Sequence, residues 1–487
     1  MTDVTHQEPL PHRRAQHEAL RPLLGRSRRV HFVGIGGSGM SGLAEALIGL
    51  GYHVSGSDLR RSAVTDRLAA LGADVAEGHA VKNLDLPDVV VVSAAVAADN
   101  PEVVEALRLG IPVIPRSEML AELMRLRQGI AVAGAHGKTT TTSMIAWVLE
   151  RAGLDPTAVV GGRLRSYHGG NVRLGQGHLM VAEADESDGS FMRLSPTIVV
   201  LTNIDDEHLD HYGTVEALVD AFVAFADRVP FYGAVLLSAD DARLAVARSR
   251  IGRRTITYGL ASDADVRGDD VQIDRGLWSC TVHERTERHG VRELGRLRLQ
   301  LPGRHNLQNA LAAVALGLEV GVPFDIAADA LVDFAGVERR FQRIGEAGGV
   351  TVIDDYAHHP SELSAVIEAA RGTTEGRIVV VFQPHRYSRL SRLFGAFVRA
   401  LALADEVLLT EVYAAGEAPV EGASAGALAA ELALVRGAPV PVIATLQRVP
   451  AAVGRVARPG DTVLVLGAGS IGEICAPLVE ELGRQAG

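Results

Sequence analysis

The residues most capable of chemistry lie where an apolar run, Ile130 to Ala133, breaks into Gly134-Ala135-His136-Gly137-Lys138-Thr139-Thr140 and resumes with helical spacing. Glycines let backbone N–H groups curl round an anion, and a helix start adds partial positive charge. Lys138 can reach a terminal phosphate, and Thr139 can ligate Mg²⁺. The full phosphate-loop pattern wants glycine at Val132, so this is a shortened form, which an ordinary strand-to-helix turn could also present. The chain has only two lysines, Lys82 and Lys138, so 46 of its 48 basic residues are arginine. A lysine kept at this position suits a compact point charge.

Downstream, Leu179 to Ala182 runs into Glu183-Ala184-Asp185-Glu186-Ser187-Asp188, and Thr197 to Leu201 runs into Thr202-Asn203-Ile204-Asp205-Asp206-Glu207-His208-Leu209-Asp210. Carboxylates this dense repel one another unless solvated or neutralised by a cation. Two acid-tipped strands beside a phosphate turn can hold Mg²⁺ on a γ-phosphate. Nearer the front, Gly34-Ile35-Gly36-Gly37-Ser38-Gly39 follows a strand pattern and opens a helix, and Asp58 ends the next strand. That is the pattern of a dinucleotide or other diphosphate nucleotide site, with the acid on a ribose hydroxyl, and equally of a tight packing turn. Ser93-Ala94-Ala95 lies after another strand, where open α/β sheets bind ligands.

Later, Arg304-His305-Asn306-Leu307-Gln308-Asn309 starts an apolar helix with Asn306 and Asn309 on one face, suited to a base edge or to capping. Glu338-Arg339-Arg340-Phe341 precedes a strand ending in Asp354-Asp355-Tyr356-Ala357-His358-His359-Pro360. Another strand ends in Gln383-Pro384-His385-Arg386-Tyr387-Ser388-Arg389. Adjacent histidines in extended chain point opposite ways, so separate hydrogen-bond roles are expected of His358 and His359 rather than a shared metal.

Strand and helix patterns alternate around these clusters, with 47% hydrophobic and 22% charged residues, and 487 residues exceed one core. The expected fold class is α/β in three domains: an N-terminal Rossmann-like domain over 29–125, a central P-loop ATPase-type α/β domain over 126–336 and a C-terminal Rossmann-like domain over 337–487. More sheet is expected from Gly233 to Gln300, with turns at Gly259, Asp270 and Gly276. Residues 1–28 are expected to be a solvated, arginine-rich leader, with a transit peptide as the sharper alternative. Two cysteines rule out a disulfide scaffold and fit a reducing cytoplasm. A net charge of −11 argues against nucleic acid as a main partner, and no apolar run is long enough for membrane insertion.

Taken together and in order, these stretches, with Val412-Tyr413-Ala414-Ala415-Gly416-Glu417, resemble the Mur ligase family, ATP-dependent amide-forming enzymes of bacterial peptidoglycan assembly. The resemblance covers nearly all of the chain beyond the leader. It implies an N-terminal domain holding a UDP-sugar through Gly36, Gly37, Ser38, Gly39, Asp58 and Ser93, a central ATPase domain, and a C-terminal domain that closes over ATP and brings the amino acid. ATP would be held by Gly134, His136, Gly137, Lys138, Thr139, Thr140, His305, Asn306, Asn309, Arg340 and Asp355. Mg²⁺ would sit on Thr139, Glu186 and His208, and Lys138, Glu186, His208, Arg340 and His358 would carry the catalysis. Tyr356, His358, Arg386 and Arg389 would line the amino-acid pocket. Many members use a carbamylated lysine downstream of the metal histidine, and no lysine follows Lys138 here. That absence points to the branch joining L-alanine to UDP-N-acetylmuramate, as a cytoplasmic monomer or weak homodimer. A branch that reattaches recycled murein peptides, typically with tyrosine where this chain has Ser187, is the runner-up. An NAD dehydrogenase would leave Lys138 and the acidic strand ends without a use. A regulatory P-loop NTPase would leave the first domain and the His358/Arg386 cluster without one.

Overall fold

The computed structural model describes residues 27–93, 95–162, 172–274, 276–286 and 290–486. The leader expectation, apart from Arg28 and Ser27, and Ala94 lie outside them. The described chain divides into two compact units, one of residues up to 162, 172–237 and 241–256, the other of 238–240 and 257 onward.

The first unit opens with a wholly parallel sheet of β1 (Arg29–Val33), β2 (His53–Asp58), β3 (Asp74–Glu77), β4 (Val89–Val92) and β5 (Val113–Pro115), in the order β3-β2-β1-β4-β5. The order reverses beside β1, which places a ligand crevice at the carboxyl ends of the strands. Helix α1 (Ser38–Gly49) follows the glycine turn, α2 (Ala63–Ala70) starts from a Ser62/Thr65 capping box, and α3 (Pro101–Arg108) starts from Asn100, whose side chain accepts from Glu102 N. Val30, Phe32, Val54, Val89 and Val91 fill the core beneath α1.

The same unit carries β6 (Gln128–Ala133), β7 (Thr157–Val159), β8 (Val172–Arg173), β9 (Leu179–Glu183), β10 (Ile198–Leu201) and β11 (Ala234–Ser238), in the order β11-β10-β6-β9-β7-β8. Here β6 pairs in parallel with β9 on one side and β10 on the other. Both acid-tipped strands therefore flank the strand that feeds the phosphate turn and helix α4 (Lys138–Arg151). β6 beyond Gln128 and all of β10 are buried, as expected of central strands in a parallel sheet.

In the second unit, β12 (Thr255–Gly259) pairs in parallel with β13 (Val266–Asp274), which continues through an antiparallel ribbon of β14 (Leu277–Thr286) and β15 (Gly290–Leu299). Asp270 was expected as a turn, but it lies inside β13. Its positive φ of 47° sits at a register shift between Asp269 and Gln272, a bulge that absorbs one residue without ending the ladder. Helix α5 (Arg304–Glu319) follows.

The last sheet contains β16 (Gln342–Ala347), β17 (Val350–Asp355), β18 (Ile378–Phe382), β19 (Glu406–Thr410), β20 (Val442–Ile443) and β21 (Thr462–Leu466), in the order β16-β17-β21-β18-β19-β20. All neighbours are parallel except β16 and β17. The sequence pattern missed β16, a half-exposed edge strand whose polar residues carry little periodic signal. Helix α6 (Pro360–Arg371) leaves the end of β17, and the short α7 (Tyr387–Arg392) follows β18.

Candidate active site

The phosphate turn is held open by the neighbouring strand end. Gly134 has φ 135°, and a Cβ there would lie 2.1 Å from Thr202 Oγ1 and 2.9 Å from the Asn203 carbonyl oxygen, so only glycine fits. Thr202 Oγ1 donates to the His136 carbonyl at 2.7 Å, and Asn203 Oδ1 accepts from His136 N at 2.8 Å. His136 Nε2 lies 2.9 Å from Asp205 Oδ2. Gly137, with φ 79°, caps α4, so Thr139 and Thr140 fall in its first turn with N–H groups directed at the loop.

Lys138 folds over this turn. Its Nζ donates to the carbonyls of Gly134 at 2.6 Å and Ala135 at 3.1 Å, and to Glu186 Oε1 at 2.7 Å. Burial alone would lower the ammonium, but the charges of Glu186, Glu183 and Asp185 outweigh it and hold Lys138 above the usual lysine range. Burial also pushes the Glu186 carboxyl up to about 7 against the pull of Lys138. Glu186 Oε2 is buried with no hydrogen-bond partner, a costly arrangement that a second cation would relieve. His208 Nε2 stands 3.7 Å from Glu186 Oε1 and 3.6 Å from Glu207 Oε2, its backbone in the left-handed region at φ 57°. A buried carboxylate with an unmatched oxygen, a nearby imidazole and a helix N-terminus fit a divalent cation carrying phosphate oxygens. The Thr139 hydroxyl donates to Glu183 Oε1 at 3.0 Å, and Glu183 Oε2 accepts from Gly161 N at 2.8 Å. Glu183 thus positions a residue expected on the metal, although it was recognised only as part of the acidic run.

At the first glycine loop Asp58 Oδ2 accepts from Gly36 N at 2.8 Å. A Cβ on Gly36 would lie 2.9 Å from that oxygen, and one on Gly39 would lie 2.3 Å from Arg116 Nη1. The loop, with Gly37 and the start of α1 at Ser38, stands at the carboxyl edge of β1. Ser93 stands just beyond β4, on the other side of the switch point.

In the second unit, α5 begins at Gly303, with φ 107°. Asn306 Nδ2 donates to Pro302 O at 2.7 Å and Asn309 Nδ2 to Asn306 Oδ1 at 3.3 Å, so the two amides are joined in one buried pair. Burial, then the charge of Arg340, lowers His305 to about 4. Asp355 Oδ2 accepts from Phe341 N and Oδ1 from Ala357 N, both at 2.7 Å, so its carboxylate clamps the linker backbone beside Arg340. Burial raises it to about 6 despite the Arg340 charge. The guanidinium carbons of Arg339 and Arg340 each lie 5.2 Å from the centre of the Tyr356 ring. Arg339 and Phe341 hold positive φ, 56° and 48°.

The aromatic row continues from Tyr356 to His358 (5.3 Å), to His385 (5.9 Å) and to Tyr413, which stacks on His385 at 5.3 Å and 9°. Arg389 Nη1 reaches 3.4 Å from His385 Nδ1. Arg386, exposed and with φ 67°, is held by its N–H donating to the Tyr413 carbonyl at 2.9 Å. Burial first, then the charges of His358, Arg389 and Arg386, lowers His385 to about 4. Glu362 Oε2 accepts from His358 N at 2.9 Å and His359 N at 3.2 Å, and His359 Nδ1 pairs with Ser361 Oγ. The His358 ring has a different partner, its Nδ1 lying 3.0 Å from the Tyr356 carbonyl oxygen, so the paired rings make separate hydrogen bonds. His385, Tyr413 and Glu362 were not singled out from sequence. Their signal is adjacency, since each lies within a motif already noted or just after it.

Models of the Mur ligase family match the chain in three consecutive segments: its catalytic domain over 29–128, its middle domain over 132–317 and its glutamate ligase domain over 339–469. UDP-N-acetylmuramate–L-alanine ligase of Pelobacter propionicus is 52% identical over 464 residues, covering 94% of this chain and 100% of that protein. The chain belongs to the Mur ligase family. A protein of the same name from Geobacter sulfurreducens is 50% identical over 95% of this chain and 100% of its own length. Among solved structures, the UDP-N-acetylmuramate–alanine ligase MurC of Thermotoga maritima matches with TM-score 0.78 and 31% identity, covering 94% of this chain and 99% of that one. A murein peptide ligase of Psychrobacter arcticus matches with TM-score 0.67 and 25% identity over 94% and 99%. The architecture is accordingly the three-domain α/β arrangement of this family.

Proposed function

We propose that this protein is an ATP-dependent ligase that joins L-alanine to UDP-N-acetylmuramate in peptidoglycan precursor synthesis. The near-full-length similarity to ligases of that name supports the substrates. The reaction class rests on one observation, Lys138 buried at a helix N-terminus against Glu186, whose second oxygen lacks a partner.

The UDP-sugar would occupy the glycine-loop domain, 29–125, ATP the central domain, 126–336, and alanine the C-terminal domain, 337–487. The lactyl carboxylate attacks the γ-phosphorus, the bond to the β-γ bridging oxygen breaks, and ADP leaves. The amine of alanine then attacks the acyl phosphate carbon, forming the amide, releasing phosphate and losing a proton to solvent. Positioning and charge neutralisation dominate such a transfer. Lys138 and the first-turn N–H groups of α4 hold the phosphates, Asn306 and Asn309 face adenine, and Arg340 adds a cation to the γ-phosphate. Mg²⁺, held by Thr139, Glu186 and His208, would neutralise developing charge. Arg386 and Arg389 grip the alanine carboxylate between Tyr356 and His358. No helix among the described residues is long and apolar enough to cross a membrane, in keeping with a cytoplasmic enzyme, monomeric or weakly dimeric.

The test is ligation with purified chain, UDP-N-acetylmuramate, ATP and either L-alanine or an L-alanyl-γ-D-glutamyl-diaminopimelate tripeptide, alongside titration calorimetry with NAD. Alanine-dependent ADP release is expected, without turnover of the tripeptide and without NAD binding. Preference for the tripeptide would move the protein to the recycling branch, which its likeness to the Psychrobacter arcticus ligase keeps as the second reading.

A further inference from the structure

Two adjacent arginines open the C-terminal domain, and the proposed reaction uses only the second. The guanidinium of Arg339 is turned onto the last sheet. Its Nη2 donates to the Gly467 carbonyl at 2.6 Å, its Nη1 donates to the Gly469 carbonyl at 3.4 Å, and its Nε stands 3.3 Å from Asp354 Oδ2. These acceptors lie at the carboxyl ends of β17 and β21, which are neighbours in that sheet. The planar fork of arginine can meet all three from one side chain, and a compact ammonium cannot. Room is kept for it, since a Cβ on Gly472 would lie 3.0 Å from Arg339 Nε and 3.1 Å from Cζ.

The backbone of Arg339 is anchored as well. Its N–H donates to Gln342 Oε1 at 2.8 Å, and its carbonyl accepts from Tyr356 N at 2.8 Å. Arg339 at φ 56° and Phe341 at φ 48° place the left-handed region on both sides of Arg340. Residues other than glycine are strained there, and such strain persists only where the surroundings over-determine it. Arg340 itself is held loosely. Its ion pair with Glu362 is long, 3.9 Å from Nη1 to Oε1, and the other Glu362 oxygen is taken by the His358 and His359 N–H groups. Both guanidiniums stand 5.2 Å from the Tyr356 ring centre, where two cations repel, and Asp354 offsets the charge of Arg339 while that of Arg340 remains. One arginine is thus fixed and neutralised, and the next is aimed and still charged.

We propose that Arg339 is a positioning residue for the phosphoryl transfer: locked to the glycine turn after β21, it holds the strained linker so that Arg340 meets the γ-phosphate as charge develops there. The proposal rests on the reading that Arg340 serves the γ-phosphate. It also gives the turn Gly467-Ala468-Gly469 a task, because two of its carbonyls accept from an arginine, where a phosphate turn would offer N–H groups.

The experiment is a double-mutant cycle in the full-length chain, its rate that of acyl phosphate formation from UDP-N-acetylmuramate and ATP, read by hydroxylamine trapping. Arg339→Ala should lower this rate by about 10 to 100-fold, the ratio that corresponds to one hydrogen bond to a charged group. The KM for ATP should stay within about twofold, because the Arg340 contact is made in the transition state. In an Arg340→Ala background the same change should lower the rate by less than about twofold further, since its effect passes through a side chain already removed. Arg339→Lys should recover little of the loss. Gly472→Ala, which keeps the arginine but crowds its guanidinium, should lower the rate in the same direction, and these two variants carry the cycle if Arg339→Ala does not fold. Equal losses with and without Arg340, a full rate in Arg339→Lys, or a raised KM for ATP at an unchanged rate would overturn the proposal. An unchanged rate in Arg340→Ala alone would instead overturn the reading of Arg340 on which it rests.

Discussion

Single side chains divide the proposed reaction into a phosphate half and an amino-acid half. Lys138 contacts the turn that would cradle phosphate and a carboxylate that would hold metal, so Lys138→Ala should lower kcat by at least about 100-fold while UDP-N-acetylmuramate binding changes little. Calorimetry against the sugar nucleotide alone checks this, and joint loss of both would sink the separation of sites. Arg386 and Arg389 frame the His385–Tyr413 stack, and a hydrogen bond to a charged group contributes about 1.5–3 kcal/mol. Replacing either arginine with alanine should raise the alanine KM by roughly 10 to 100-fold, the same energies expressed as a ratio. Hydroxylamine trapping of the acyl phosphate should persist in both variants, because that intermediate forms before alanine is needed. A normal alanine KM in both would remove them from the pocket. Lys138 was legible because lysine is rare in this chain, and Arg386 and Arg389 because they cluster with histidine and tyrosine after a strand. Glu183 holds Thr139 through a hydrogen bond that spans 44 residues, and no local pattern announces such a partner.

Among the elements, the two strand-to-helix turns do the positioning, and each depends on a glycine hemmed in by the neighbouring strand end. At Gly134 a Cβ would meet Thr202 and the Asn203 backbone, in a conformation, φ 135°, that L residues avoid. Gly134→Ala should therefore force the turn open and destabilise it by about 1–3 kcal/mol, as overpacking and strain typically do. The expected result is a lower melting temperature together with at least tenfold weaker MgATP binding, read by thermal shift with and without nucleotide. Unchanged nucleotide affinity would mean that the turn does not shape the site. Buried parallel strands such as β6, β10, β18 and β21 were readable as continuous apolar runs. The edge strand β16 and the bulge at Asp270 were not. An edge strand needs only a partner for its backbone, and a bulge needs only a partner strand that runs on, so both are decided by pairing.

Across the molecule, buried titratable groups give the two units opposite responses to acid. In the second unit His305 and His385 titrate near 4, below an unfolded value near 6.5. Between those values the unfolded chain binds more protons, so stability falls as pH falls. Asp355, raised to about 6, and its neighbour Asp354, also raised by burial, oppose this, but they begin to take up protons only at lower pH than the unfolded imidazoles do. In the first unit Glu186, raised to about 7, binds its proton more readily when folded, so that contribution grows as pH falls from 7 towards 4.5. Glu102, lowered to about 2, retains its stabilisation down to about 4.5 and loses it below. Hydrogen exchange, corrected for intrinsic rate, should show the second unit losing protection relative to the first between pH 7.5 and 5 without metal or nucleotide; the reverse order would count against these assignments. What the sequence determined by itself was the alternation of strands and helices, the glycine turns and the acid-tipped strands, because hydrophobic period, backbone permissiveness and charge density are local properties. Only the tertiary structure decided that the two acidic strands flank β6, that Lys138 meets Glu186, that His385 stacks on Tyr413 and that Ser57 joins Glu102 to His79. Each of those joins residues that only strand order and packing bring within hydrogen-bonding or stacking range.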